Sequence, residues 1–238
     1  MRRWWQDFTD LALPTACGGC GTPRTALCAR CRAALTDGAA RRVRPRPEPS
    51  GLPAVHAAAP YQGAVRQLVL AHKERGALAL TGPLGEALAG AVGGGAGVGG
   101  APRTALLHLV PVPSSRAATR ARGHDPTRRI ARAAAGALRR AGWAAQVVPV
   151  LRQRRGVRDQ VGLDPGERRA NLHGALRVAE GGHALLAVGG RVVIVDDVMT
   201  TGASLSEAAR ALSAVNGVRD LTAAVVAAPS DSFERNRN

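Results

Sequence analysis

Two adjacent carboxylates, Asp196 and Asp197, end the apolar run Val192-Val193-Ile194-Val195 and precede Val198-Met199-Thr200-Thr201-Gly202-Ala203-Ser204. The β-branched run reads as a fully buried parallel strand. Bare charges are very costly to bury, so the acid pair belongs at the strand's C-terminal end, where open α/β sheets bind ligands. Beyond the loop, Leu205 to Leu212 reads as an amphipathic helix start, with Ser204 and Glu207 spaced as a capping box. The backbone N–H groups of Thr200 to Ser204 are then free to point at an anion, helped by the helix dipole. Thr200, Thr201 and Ser204 add hydroxyls, and Gly202 allows close backbone approach. Two carboxylates would repel a phosphate unless they hold sugar hydroxyls and a Mg²⁺, which prefers oxygen ligands and phosphates. The expected ligand is phosphorylated, polyhydroxylated and accompanied by a metal.

A second chemical cluster stands near the N-terminus. Cys17, Cys20, Cys28 and Cys31 are the chain's only cysteines and form C-x2-C-x7-C-x2-C. Two such knuckles supply four thiolates suited to tetrahedral Zn²⁺. Gly18, Gly19 and Gly21 ease the first turn. A redox pair of CxxC motifs is the alternative, but no βαβ pattern surrounds them. So small a knuckle is not expected to fold without its metal.

The elements that must position these groups alternate strand and helix, which argues a parallel α/β sheet flanked by helices. Strands are expected at Val55–Ala59, Leu106–Val112, Ala145–Val150, Ala175–Val178, Val192–Val195 and Leu221–Ala227. Helices are expected at Tyr61–Lys73, Leu78–Val92 and Thr127–Ala141. Gly93–Gly100 and the basic Ser114–Asp125 read as loops. Leu151–Ala170 reads as a long arginine-rich loop of the kind that forms lids. Residues 1–36 make the four-cysteine zinc knuckle and residues 37–54 a Pro/Arg-rich linker or extended connection. Residues 55–238 make the main domain.

The 238 residues carry a formal charge of +16, and residues 111–180 hold 15 arginines against 5 acids. Two readings stay open: contact with a polyanion such as single-stranded DNA, or a solvated basic face. Lys73 is the only lysine, and an arginine bias of that kind also follows from coding composition. Aromatics make up only 3% of the chain, which leaves few residues for base stacking. No stretch reaches the ~20 apolar residues of a membrane span, and no signal-peptide core follows Arg2 and Arg3. A cytoplasmic protein is the expectation, with Trp4, Trp5, Phe8, Leu11 and Leu13 as a short docking segment.

The Asp196–Ser204 run resembles the phosphoribosyl-diphosphate (PRPP) motif of type I phosphoribosyltransferases. That resemblance implies that Asp196 and Asp197 contact the ribose hydroxyls and that Thr200, Thr201, Gly202, Ala203 and Ser204 hold the 5′-phosphate. Further stretches resemble the ComF family of competence-associated, phosphoribosyltransferase-like proteins. They are the cysteine quartet, Tyr61-Gln62-Gly63 through Leu68 to Lys73, Val110-Pro111-Val112-Pro113 with Arg122-Gly123, and Leu151-Arg152-Gln153-Arg154 with Asp159-Gln160. Arg168-Arg169-Ala170-Asn171-Leu172-His173-Gly174-Ala175 completes the set. The chain departs from the pattern at His124-Asp125, where the family has an aromatic and an Asn-Gln pair. It departs again at Thr200, where some purine-salvage members carry an Asp that serves as a base toward the purine, which argues against purine salvage.

The resemblance implies a type I phosphoribosyltransferase-like fold and Mg²⁺-dependent transfer of phosphoribose from PRPP, or PRPP or nucleotide binding alone. Lys73, Arg116, Arg120 and Arg122 are the candidates to clamp diphosphate. Arg152, Arg154, Arg155 and Arg158 lie on the lid loop. The rival expectation is a non-catalytic accessory of DNA uptake that binds single-stranded DNA and uptake proteins.

Overall fold

The computed structural model describes residues 16–96, 103–154, 174–187 and 189–234. The N-terminal tryptophan segment, Arg155, Arg158, His173 and most of the lid loop lie outside the described residues.

The strand that carries the acid pair, β7 (Arg191–Val198), lies between β3 (Leu107–Pro111) and β8 (Thr222–Ala228) and is parallel to both. Its residues alternate between two cores. Val193 and Val195 face one, together with Leu107, Leu109 and Val226. Val192 and Ile194 face the other, together with Val110, Val225 and Leu205. Burial on both faces is what the unbroken apolar run demands. The full sheet runs β1-β2-β8-β7-β3-β4, with β1 (Arg41–Val43), β2 (Ala54–Pro60) and β4 (Ala145–Val147) completing it. All strands are parallel except β1, which pairs antiparallel to β2 at the edge. The protein is thus mixed α/β with a mostly parallel six-stranded sheet.

One face is covered by α2 (Gly63–Glu74), α3 (Thr81–Ala91) and α5 (Pro126–Arg140), with α1 (Ala29–Thr36) packed outside α2 and α3. The other face holds α7 (Ala203–Ser213). Arginines mark the solvent side of α5, where Arg129, Arg132, Arg139 and Arg140 are exposed while Ile130, Ala134 and Leu138 are buried.

A second, two-stranded sheet pairs β5 (Leu151–Gln153) antiparallel with β6 (Leu176–Val178). A short helix, α6 (Gly182–Ala187), follows it. The expected strand at Ala175–Val178 therefore exists but lies outside the main sheet. Leu151–Gln153, expected in a loop, is its partner.

Several local expectations are corrected. Ser114–Asp125 is not a loop: α4 (Arg116–Arg122) forms there, because Ser115 Oγ accepts from the Ala118 N–H at 3.0 Å. Gly93–Ala96 continues α3 as a π-helical turn. The Ser204/Glu207 capping box does not form. The helix begins at Ala203, its N-cap is Gly202, and no side chain caps it. Glu207 accepts instead from the Leu176 N–H at 2.8 Å and pairs with Arg210 at 2.7 Å, while Arg210 Nη2 donates to the Leu176 carbonyl at 2.9 Å. This clamp fastens β6 to α7. Burial works to raise the Glu207 carboxyl, but Arg210 and the Leu176 N–H outweigh it and hold the group below its ordinary value.

The stretch read as a linker, 37–54, supplies β1 and then crosses the start of α7. Ser206 Oγ donates to the Ser50 carbonyl at 2.6 Å.

Candidate functional site

The carboxyl ends of β2, β8, β7 and β3 point the same way, and a cleft of about 600 Å³ opens beyond them. Asp196 and Asp197 reach it from the end of β7, and Thr200 and Ser204 from the following loop and first turn of α7. Lys73 and Glu74 reach it from the end of α2, Arg122 from the end of α4, and Gln153 and Leu176 from the small sheet. The acids sit where the apolar run predicted them.

The loop from Thr200 to Ser204 is built for close approach. Gly202 adopts the left-handed φ of +76°, and a Cβ there would stand 3.2 Å from Leu52 and 3.3 Å from Pro45. The segment expected as a linker thus braces this turn from outside. The first N–H that α7 satisfies internally is that of Ser206, bonded to the Gly202 carbonyl at 2.9 Å. The helix supplies no acceptor for the N–H groups of Ser204 and Leu205, which leaves the helix start open to an anion. Thr201 Oγ1 accepts from the Ala203 N–H at 3.4 Å, so it serves the loop itself.

The acid pair is asymmetric. Asp197 is 3% exposed, and its Oδ2 lies 2.7 Å from Lys73 Nζ. Its Oδ1 accepts from the Val198 N–H. Asp196 Oδ1 accepts from the Thr127 hydroxyl at 3.2 Å and from the Asp197 N–H at 2.8 Å. Burial, then the neighbouring Asp197 charge, pushes the Asp196 carboxyl well above its usual range. Burial works to lower the Lys73 ammonium, but Asp197 and Asp196 outweigh it and hold the group above its ordinary value. One carboxyl held by a hydroxyl and a backbone N–H and one paired with an ammonium, side by side, suit hydroxyl groups better than a bare anion.

The candidate cations separate. Lys73 and Arg122 line the cleft. Arg122 is engaged by Glu74 through two bonds, Nε to Oε2 at 2.9 Å and Nη2 to Oε1 at 2.8 Å. Arg120 is exposed and stands outside the lining. Arg116 begins α4, on the turn that follows the cleft-lining Ser114 and Ser115. The Asp125 carboxylate, which departs from the resembled pattern, caps α5 by accepting from the Arg128 N–H at 3.0 Å.

Sequence reasoning missed Glu74, Thr127 and Gln153. Glu74 stood next to Lys73 at a helix end, and Thr127 stood in a first helical turn, but neither carries a local signal of its distant partner. The cleft also has an apolar wall of Tyr61, Val69, Leu70, Val112 and Leu176. Beneath it, His72 is buried. Its Nε2 lies 3.0 Å from Thr81 Oγ1, and its ring meets His124 edge-on at 6.1 Å.

The cysteine cluster forms as its spacing predicts. The four Sγ atoms lie within 4.8 Å of one another, and Cys20 and Cys28 sulfurs are 3.6 Å apart. A Zn²⁺ with four thiolates needs sulfurs about 3.8 Å apart, so the donor set fits that ion. The Cys20 thiol is pulled down to about 5, first by the Thr22 hydroxyl, and burial pushes the Cys31 thiol up. Gly19 permits the turn: a Cβ there would come within 2.9 Å of Cys31 Sγ. Cys17, Cys31 and Leu35 belong to the same core as Leu68, Leu80 and Leu84, so the cluster is fastened to α2 and α3 rather than held apart.

Among the described residues, no helix is long and apolar enough to cross a membrane. No protein-family model matches the chain, and no curated protein matches it.

Proposed function

We propose that the cleft binds a phosphorylated ribose, PRPP in particular, and that the protein is a phosphoribosyltransferase-like member of the ComF family. One observation carries this reading. An acid pair at the end of β7 and the open start of α7, just beyond the following loop, line one cleft with Lys73 and Arg122. Carboxyls placed for hydroxyls, beside a helix start placed for a phosphate, fit a sugar phosphate.

In this reading Asp196 and Asp197 receive the ribose hydroxyls, and the Thr200–Ser204 loop receives the 5′-phosphate. Lys73 and Arg122 stabilise charge as diphosphate leaves ribose C1 and an acceptor atom takes its place. Gln153 and Leu176, on the small sheet beside the cleft, keep water from the reacting carbon. The tyrosine-bearing apolar wall offers a flat surface to an uncharged acceptor.

Mg²⁺ enters only with the ligand. Among the described residues, the cysteines are the one group of three or more side chains gathered as metal donors. The cleft offers two acids, one already paired, which suits an ion carried mainly by phosphates and water. The four-cysteine cluster is proposed to hold a structural Zn²⁺.

The test is diphosphate release from Mg²⁺-PRPP with a panel of nucleobases, comparing wild type with Asp196→Asn/Asp197→Asn. Base-dependent release that the double variant loses establishes the transferase and names the acceptor. PRPP binding without release with any base leaves a binding protein. Failure to bind PRPP at all removes the reading.

A second reading rests on the exposed arginines of α5, Arg129, Arg132 and Arg140, which line one side of that helix. As an accessory of DNA uptake, the protein binds single-stranded DNA with a steep salt dependence, because each phosphate contact releases counterions. Binding without a salt slope removes this reading.

A further inference from the structure

We propose that Glu74 is an internal competitor for the ligand's anion: it occupies the Arg122 fork until a diphosphate displaces it. The proposal rests on the reading of the cleft as a phosphorylated-sugar site, and it adds a residue that sets which anions enter.

The Glu74–Arg122 contact has the geometry a phosphate uses. Both carboxylate oxygens meet one edge of the guanidinium, at 2.9 and 2.8 Å. Both residues line the cleft. The partners are unequally held. The Arg122 side chain is 20% exposed and Glu74 is 44% exposed. The Arg122 backbone is fixed as well, since His124 Nδ1 lies 3.0 Å from its carbonyl oxygen. Glu74 is therefore the partner free to swing into water.

Local energetics do not explain a carboxylate at that position. Glu74 is the last residue of α2, where the helix presents its negative end and favours cations. Lys73, its neighbour in the same turn, follows that preference. Glu74 is against it, and its carboxylate finds its partner only across 48 residues of sequence, in Arg122.

The neighbouring pair shows why Glu74 and not another acid is the gate. Lys73 is likewise paired, to Asp197, but Asp197 is almost fully buried and bound to the backbone of Val198. It cannot withdraw. With both cations that line the cleft among the described residues neutralised from within, a weakly charged anion gains little on entering. A diphosphate meets Arg122 with a matching bidentate edge and more charge than Glu74 offers, and takes the fork.

The alternative role for the pair is a staple between α2 and α4. The two roles separate in binding. Inorganic pyrophosphate is titrated calorimetrically into wild type, Glu74→Gln, Arg122→Gln and the double variant at about 0.15 M salt. Ribose 5-phosphate is titrated in parallel, and thermal melts confirm folding. The expected result is that Glu74→Gln binds pyrophosphate about fivefold tighter. Arg122→Gln binds it about tenfold more weakly, and Glu74→Gln confers no gain once Arg122 is gone. Unchanged or weaker binding by Glu74→Gln, with Arg122→Gln still impaired, overturns the proposal and leaves a staple. Ribose 5-phosphate binding with no pyrophosphate binding by any form overturns the proposal and spares the sugar-phosphate reading. Failure of both probes overturns both.

Discussion

The Thr127 hydroxyl donates to Asp196 Oδ1 at 3.2 Å, tying the first turn of α5 to the end of β7. Thr127 is 3% exposed, so water does not replace the bond when it is lost. Thr127→Val should cost about 1–2 kcal/mol in urea denaturation. It should weaken ribose 5-phosphate binding several-fold, while Thr127→Ser preserves both. Equal binding by the valine variant would show that Asp196 is oriented by the Asp197 N–H alone.

Gly202→Ala tests the proposed phosphate role of the Thr200–Ser204 loop. The left-handed φ costs an alanine about 1–2 kcal/mol, and its Cβ would press on Leu52 and Pro45. The expected outcome is a loss of stability of that order with a larger loss of sugar-phosphate affinity, because the loop must shift as well as strain. A Gly202→Ala protein with wild-type melting and binding would place the ligand elsewhere.

His72 should make the protein acid-sensitive. Burial first, then His124 and Arg129, lower its imidazole to about 4, with Asp197 opposing them. The folded state keeps this ring neutral, whereas the unfolded chain takes up a proton below about 6.5. Stability should therefore fall as pH drops from about 6.5 to about 4, by roughly 2–3 kcal/mol from this residue. Asp196, raised in the folded state, acts in the opposite direction above its ordinary value of 3.8. The contribution of His72 is isolated by comparing the change in stability between about pH 7 and about pH 5 for wild type and His72→Gln. A parallel change in both proteins would assign the acid response to another group.

Metal removal should be felt well beyond the cysteines. Cys17 and Cys31 share a core with Leu68 on α2 and Leu84 on α3. Zinc analysis of the purified protein should give one ion per chain. Chelation should lower the melting temperature of the whole domain and loosen amide-exchange protection in α2. Replacement of the four cysteines by serine should abolish the zinc. Loss of protection confined to residues 16–36 would instead make the cluster an independent module.

What could be read from the sequence was local. The run Val192–Val195 announced a strand covered on both faces, and the acids had to stand at its end. The CxxC spacing announced the sulfur cluster. The errors share one cause. Ser204 and Glu207 satisfied a local capping pattern, but Glu207 found better use in an N–H on β6, 31 residues away. The Ser114–Asp125 stretch looked like a basic loop because its short arginine- and alanine-rich run gives no buried stripe. Its helix follows from the Ser115 cap. The pairing of Glu74 with Arg122, and of Thr127 with Asp196, is a property of chain crossings that no window of sequence contains.

The sheet order carries a consequence for how the chain is made. Among the described residues β8 is the last strand along the chain, yet it lies between β2 and β7. Until residue 228 has left the ribosome, the early β1–β2 hairpin has no parallel neighbour, and one side of β7 has no hydrogen-bonding partner. The cleft lies across that seam, with Tyr61 on one side and Asp197 on the other. The strand that comes last among the described residues therefore completes the cleft and the hydrophobic interior in one step.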